Sequence, residues 1–141
     1  MHPFLRLCAR IEPHPLQQEM LAQACSGFQA WDGLLQQAEV HGMAPLLLRH
    51  LLLAEIHLPD HIFRSLRLLA IRHRQSNALL SKTLARVLNI LESAGIPSLV
   101  LKGAALCKTL YPEPGLRPMR DMVIVVKNSR TLIAALYRKT H

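Results

Sequence analysis

The sequence predicts an α+β protein: a mostly helical region over residues 1–94, then a partial strand–helix–strand core over 95–141. Three observations lead there. Apolar residues recur at three- and four-residue steps from Leu16 to Ala94, the spacing of helix faces. After Gly95 the texture changes to short β-branched runs, Ile96-Pro97-Ser98-Leu99-Val100-Leu101 and Asp121-Met122-Val123-Ile124-Val125-Val126. The 141 residues are 50% hydrophobic, which suits one domain, or a small domain with part of a second, and excludes a disordered or collagen-like chain.

The elements follow in order. Leu16, Met20, Leu21 and Ala24 mark a first helix that Gly27 stops. A second helix covers Phe28 to Val40, with Trp31, Leu34, Leu35 and Ala38 facing inward, and ends at Gly42. A third runs from Ala44 to Glu55. It is apolar on most sides and therefore buried, and Pro45 suits its first turn, where a missing N–H costs nothing. Pro59 and Asp60 open a long helix reaching Ser93, with Ile62, Leu66, Leu69, His73, Leu80, Leu84, Val87 and Leu91 on one face.

Arg64, Arg67, Arg72, Arg74, Lys82 and Arg86 fall on the opposite face of the long helix, and no acidic residue lies between Asp60 and Glu92. This side reads either as a solvated outer face or as a surface for phosphates or anionic membrane. Beyond Gly95, Pro97 stands near the start of a short buried strand. Lys102-Gly103-Ala104-Ala105-Leu106 turns into a helix ending around Tyr111, which crosses over to the strand opening at Asp121. Pro112-Glu113-Pro114-Gly115 is a loop, and Asn128 or Ser129 caps a last helix through Tyr137.

Composition bounds the partners. With 17 Lys+Arg against 9 Asp+Glu, the formal charge of +8 favours polyanions: nucleic acid, nucleotide phosphates or anionic lipid. Cys8, Cys25 and Cys107 are widely spaced and form no C-x-x-C pair, which reads as reduced thiols in the cytoplasm rather than a disulfide scaffold or zinc ribbon. The N-terminus lacks the apolar core of a signal peptide. The most apolar stretch, Ala44 to Ala54, is interrupted by Arg49 and His50 and falls short of the roughly 20 residues of a membrane span. His57 and His61 have helical spacing, but Pro59 between them breaks the helix that would align a zinc pair.

The unit that carries chemistry is the glycine turn after the first strand. A glycine there lets backbone N–H groups approach a phosphate at the positive end of the following helix, although such a glycine is more often a purely structural turn. Leu101-Lys102-Gly103-Ala104-Ala105-Leu106, then Tyr111-Pro112, then Gly115-Leu116-Arg117-Pro118 and Asp121, resembles an uncharacterised bacterial nucleotidyltransferase family, distantly related to polymerase-β-type nucleotidyltransferases. Trp31, Ala38, His41-Gly42 and Pro45-Leu46-Leu47 resemble that family's helical N-terminal region.

The resemblance implies transfer of a nucleotidyl group from a nucleoside triphosphate to an acceptor. It implies nucleotide binding by Lys102, Gly103, Ala104 and Arg117, with Arg120 near the phosphates, and a catalytic and metal-binding role for Asp121 with magnesium. The second carboxylate of the family's Asp-x-Asp pair is absent, because Val123 occupies its position. Asp121 and the arginines also read as ordinary solvated residues of a strand entry and a loop. The sequence stops at His141 before a third carboxylate or further strands, so a shortened, catalytically impaired member is expected. Its open sheet edge would pair with a second copy or another protein. The alternative is a non-catalytic interaction module for a protein or polyanionic partner, with nonspecific nucleic-acid binding by the arginine face as a weaker variant.

Overall fold

The structure, a computed structural model, describes residues 1–127. Six helices and two strands follow in the order α1 (Pro3–Leu7), α2 (Pro15–Cys25), α3 (Trp31–Val40), α4 (Ala44–Leu53), α5 (Asp60–Ser93), β1 (Ser98–Leu101), α6 (Lys102–Thr109) and β2 (Val123–Val126). The α+β class and the mainly helical first part are as expected. The helix expected after Asn128 or Ser129 lies outside the described residues.

The first four helices and the start of α5 enclose one apolar core. Leu5, Leu21, Leu34, Leu47, Leu51, Ile62 and Leu66 are fully buried in it, and each such side chain is worth about 1.5–3 kcal/mol relative to exposure. Phe28 stands outside α3, which begins three residues later than its apolar pattern suggests. Its N–H closes a turn on the Cys25 carbonyl at 3.1 Å. Its ring packs against Phe4 and Trp31, with centroids at 4.6 and 4.9 Å. Both α1 and α2 are capped by histidine rings, His2 on the Phe4 N–H and His14 on the Leu16 N–H. α4 is buried through Leu51, but Leu52 and Leu53 emerge at its end.

One polar network runs through this core. The His50 ring is fully buried; its Nε2–H donates to the Arg10 carbonyl at 2.8 Å, and its Nδ1 accepts from Gln17 Nε2 at 3.3 Å. Gln17 Oε1 in turn accepts from the His14 N–H, so α2, α4 and the segment between α1 and α2 are tied together.

α5 spans the molecule. Its first half belongs to the helical core, and its second half lends Leu80 and Leu84 to a smaller cluster with Ala104, Cys107, Met119 and Val100. The expected inward face is observed, from Ile62 and Leu66 through half-buried Leu69, His73, Leu80, Leu84 and Val87 to Leu91. On the outer face two of the six cations are neutralised: Arg72 pairs with Glu39 at 2.9 Å and Arg74 with Glu113 at 3.6 Å. Arg64, Arg67, Lys82 and Arg86 are exposed.

The two strands are antiparallel, with Ser98 opposite Val126 and Leu101 opposite Val123. The connection between them is therefore no crossover. α6 leaves from the Leu101 end, and the loop of residues 110–122 returns to that same end. α6 stops at Thr109, two residues before Tyr111, ahead of a proline that disfavours helical backbone in the residue before it. Leu99 and Val125 face each other across the pair and stay exposed, at 60% and 50%.

Candidate functional site

The site is built where β1 passes straight into α6. Lys102, the first residue of that helix, has φ of +56°, a left-handed backbone that side chains other than glycine resist. Among the described residues no side chain caps α6, so its first N–H groups lack a side-chain acceptor at the helix's positive end. Gly103 follows. A Cβ built there would meet only Arg117 Nε and Met119 Cγ, each at an ordinary 3.8 Å, so the packing itself does not demand glycine.

The return loop brings Arg117, Arg120 and Asp121 to the same place. Asn77 on α5 holds that loop: its Nδ2 donates to the carbonyls of Pro114 and Arg117, the latter at 2.8 Å, and its Oδ1 accepts from the Met119 N–H at 2.9 Å. Cys107 Sγ adds a longer contact to the Arg117 carbonyl at 3.4 Å. Burial pushes the Cys107 thiol up, against the opposing pull of Arg117 and Lys108, which fits a packing role. One turn before Asn77, Gly115 lies so close to Arg74 that a Cβ would come within 3.2 Å of the Arg74 Cβ.

A cleft of about 530 Å³ opens between this corner and the turn joining α3 to α4. Lys102, Gly103, Arg117, Arg120 and Asp121 line one side, and His41, Gly42, Met43 and Leu46 line the other. Gly42, with φ of +64°, sits against Pro118, and Arg120 Nη2 reaches the Val40 carbonyl at 3.5 Å, so the two walls touch. Four of the five residues expected to bind nucleotide or metal thus share one cleft. Ala104 does not line it: it is buried against Met119 and Cys107 behind the turn.

Electrostatically the cleft is one-sided. Among the described residues no carboxylate lies within 4 Å of Lys102, Arg117 or Arg120, whereas Arg49, Arg72 and Arg74 outside it are paired with Glu113 or Glu39. Arg117 Nε is buried and has no hydrogen-bond partner among the described residues. Asp121 is exposed and precedes β2 by two residues. Sequence reasoning overlooked Asn77, a polar residue amid an apolar helix face, and it noted His41-Gly42 only as part of the helical region.

A family model described as an uncharacterised nucleotidyltransferase matches residues 29–136. The chain belongs to that family. No curated protein and no solved structure matches it. The match takes in α3, α4, the long helix and the glycine turn together, so both walls of the cleft lie inside the family's extent.

For this nucleotidyltransferase family member, the magnesium implied by the resemblance can be tested against the donors present. The described residues contain no group of three His, Cys, Asp or Glu able to hold a metal ion. At the cleft Asp121 is followed two residues later by half-buried Val123, whose side chain offers no oxygen. The donor set does not fit a two-metal site. His61 lies near Asp32, at 3.5 Å, rather than beside His57 in a metal pair. No helix among the described residues is long and apolar enough to cross a membrane.

Proposed function

We propose that the cleft binds a nucleoside triphosphate and that the protein's reaction class is nucleotidyl transfer, weakened by the loss of the second carboxylate at Val123. The single observation that supports this most is the convergence on one cleft of the glycine turn and three cations that have no acidic partner among the described residues. In this reading the triphosphate lies along the start of α6, where bare backbone at Gly103 permits close approach and the helix N-terminus favours negative charge. Lys102, Arg117 and Arg120 neutralise the phosphate oxygens. Guanidinium groups suit the task because their planar donors match phosphate geometry.

Transfer would join an acceptor oxygen to the α-phosphorus and release pyrophosphate, with the acceptor's proton passing to the Asp121 carboxylate. The wall formed by Met43 and Leu46 is apolar and suits a flat ring, either the nucleobase or the acceptor. One cleft carboxylate is poor equipment for this chemistry, so slow turnover is expected.

The experiment is a transfer assay with nucleoside triphosphate labelled at the α-phosphate, run beside a binding titration. Weak transfer that Asp121→Asn removes and Val123→Asp raises supports the reading. Gly103→Ala should leave the fold intact, given the 3.8 Å clearance, yet weaken nucleotide binding about tenfold by blocking backbone approach. Absence of nucleotide binding in the native chain contradicts the reading.

A second reading has its own observation. The exposed Leu99–Val125 pair on a two-stranded sheet supports association through that sheet. Sedimentation of the native chain beside Val125→Lys tests it: a dimer that the substitution dissolves supports it, and a monomer in both contradicts it.

A further inference from the structure

Resting on the nucleotide-binding reading of the cleft, we infer that it grips the polyphosphate with its own cations and takes the metal-free nucleotide anion, so that binding needs no divalent ion. Three features of the described residues carry this. First, the charge count at the cleft is three cations, Lys102, Arg117 and Arg120, against the single carboxylate of Asp121. A divalent cation entering there meets net repulsion before any ligand arrives, while a triphosphate meets net attraction.

Second, the cleft's cations are left unneutralised, whereas three arginines close by are paired. Arg49 is paired with Glu113 at 3.1 Å and Arg72 with Glu39 at 2.9 Å, and Arg74 reaches the same Glu113. Lys102, Arg117 and Arg120 have no such partner among the described residues. The Arg117 Nε–H is buried beside Gly103 and donates to no described residue. A buried donor without an acceptor is costly, and a phosphate oxygen lying along the glycine turn would satisfy it.

Third, the oxygens a hard cation needs are missing. Magnesium demands near-octahedral oxygen ligation, and among the described residues the cleft offers one exposed carboxylate with cations around it. Val123, where a second oxygen would have to come from, is held in register opposite Leu101, immediately before Lys102. The two features work in the same direction: one carboxylate is left to hold metal, and side-chain cations stand beside the glycine turn.

The test is calorimetric titration of the full chain with ATP, and separately with inorganic tripolyphosphate, in excess EDTA and in excess magnesium. The expected result is ATP and tripolyphosphate binding in EDTA at least as tight as in magnesium, with Arg117→Ala and Arg120→Ala each weakening it about tenfold. Thermal melting of both variants separates lost binding from lost fold, and the comparison of EDTA with magnesium needs no variant at all. ATP binding seen only with magnesium overturns the inference and leaves the nucleotide reading standing. Absence of ATP binding under both conditions overturns the inference and the nucleotide reading together.

Discussion

Asn77, fully buried on the long helix, receives the Met119 backbone N–H on its Oδ1 at 2.9 Å. The same amide gives its Nδ2 hydrogens to the carbonyls of Pro114 and Arg117. One side chain thereby fixes a loop of six residues, and through it the positions of Arg117 and Arg120 at the cleft. The site is held from α5, some forty residues away in sequence, at separations of 37, 40 and 42 residues.

Replacing Asn77 by alanine should therefore cost more than an average substitution. It orphans the Met119 N–H and two carbonyls at once, and a buried group left unpaired costs about 1–3 kcal/mol. The expected loss is about 2–4 kcal/mol in urea unfolding, together with weaker nucleotide binding. A change under about 0.5 kcal/mol would show that the loop is held by other contacts.

Lys102 stores strain at the point where a phosphate is proposed to lie. Its φ of +56° is the left-handed region, where a β-carbon costs about 1–2 kcal/mol and glycine costs nothing. Lys102→Gly is expected to raise stability by about 0.5–1 kcal/mol, after allowing for glycine's greater unfolded-state freedom, while weakening nucleotide binding through the lost cation. A less stable variant would contradict the assignment of strain.

His73 makes stability depend on pH. Burial, helped by Arg72 and Arg120 and opposed by Glu39, lowers its pKa below the usual 6.5, and its Nε2 has no partner among the described residues. The folded state then binds this proton less readily than the unfolded chain. The His73 contribution is complete above the unfolded value of 6.5 and is lost as pH falls below it, through the lower folded value. Unfolding curves for the native chain and His73→Gln, followed from about pH 7.5 to 5, should differ in slope, with the variant flatter. Identical slopes would contradict a contribution from His73.

Most helices were legible because their apolar spacing is regular: α5 runs over the span from Asp60 to Ser93 read from its periodicity. α1 escaped notice because it has five residues and a histidine cap, outside the usual Ser, Thr, Asp and Asn signals. The antiparallel pairing was hidden because two strands joined by a helix suggest a crossover, and only the return of the loop to Leu101 reverses the second strand.

Lys102, Gly103, Arg117 and Asp121 could be singled out from their order along the chain. The opposing wall could not: nothing in the sequence brings His41 to Met43 against Pro118 and Arg120. Asn77 carried a signal that can be read, a polar residue in line with His73 and Leu80 on an otherwise inward apolar face, where burial demands partners.

Backbone amide signals followed during an ATP titration test most directly the proposal that these two walls form one nucleotide cleft. Gly42 and Gly103 line the cleft on opposite sides, while a Cβ at Gly27 or Gly33 would meet nothing within 4 Å and neither residue lies at the cleft. Saturable shifts are expected at Gly42 and Gly103, with Gly27 and Gly33 unmoved. Shifts absent from Gly103, or confined to Gly27 and Gly33, would contradict it.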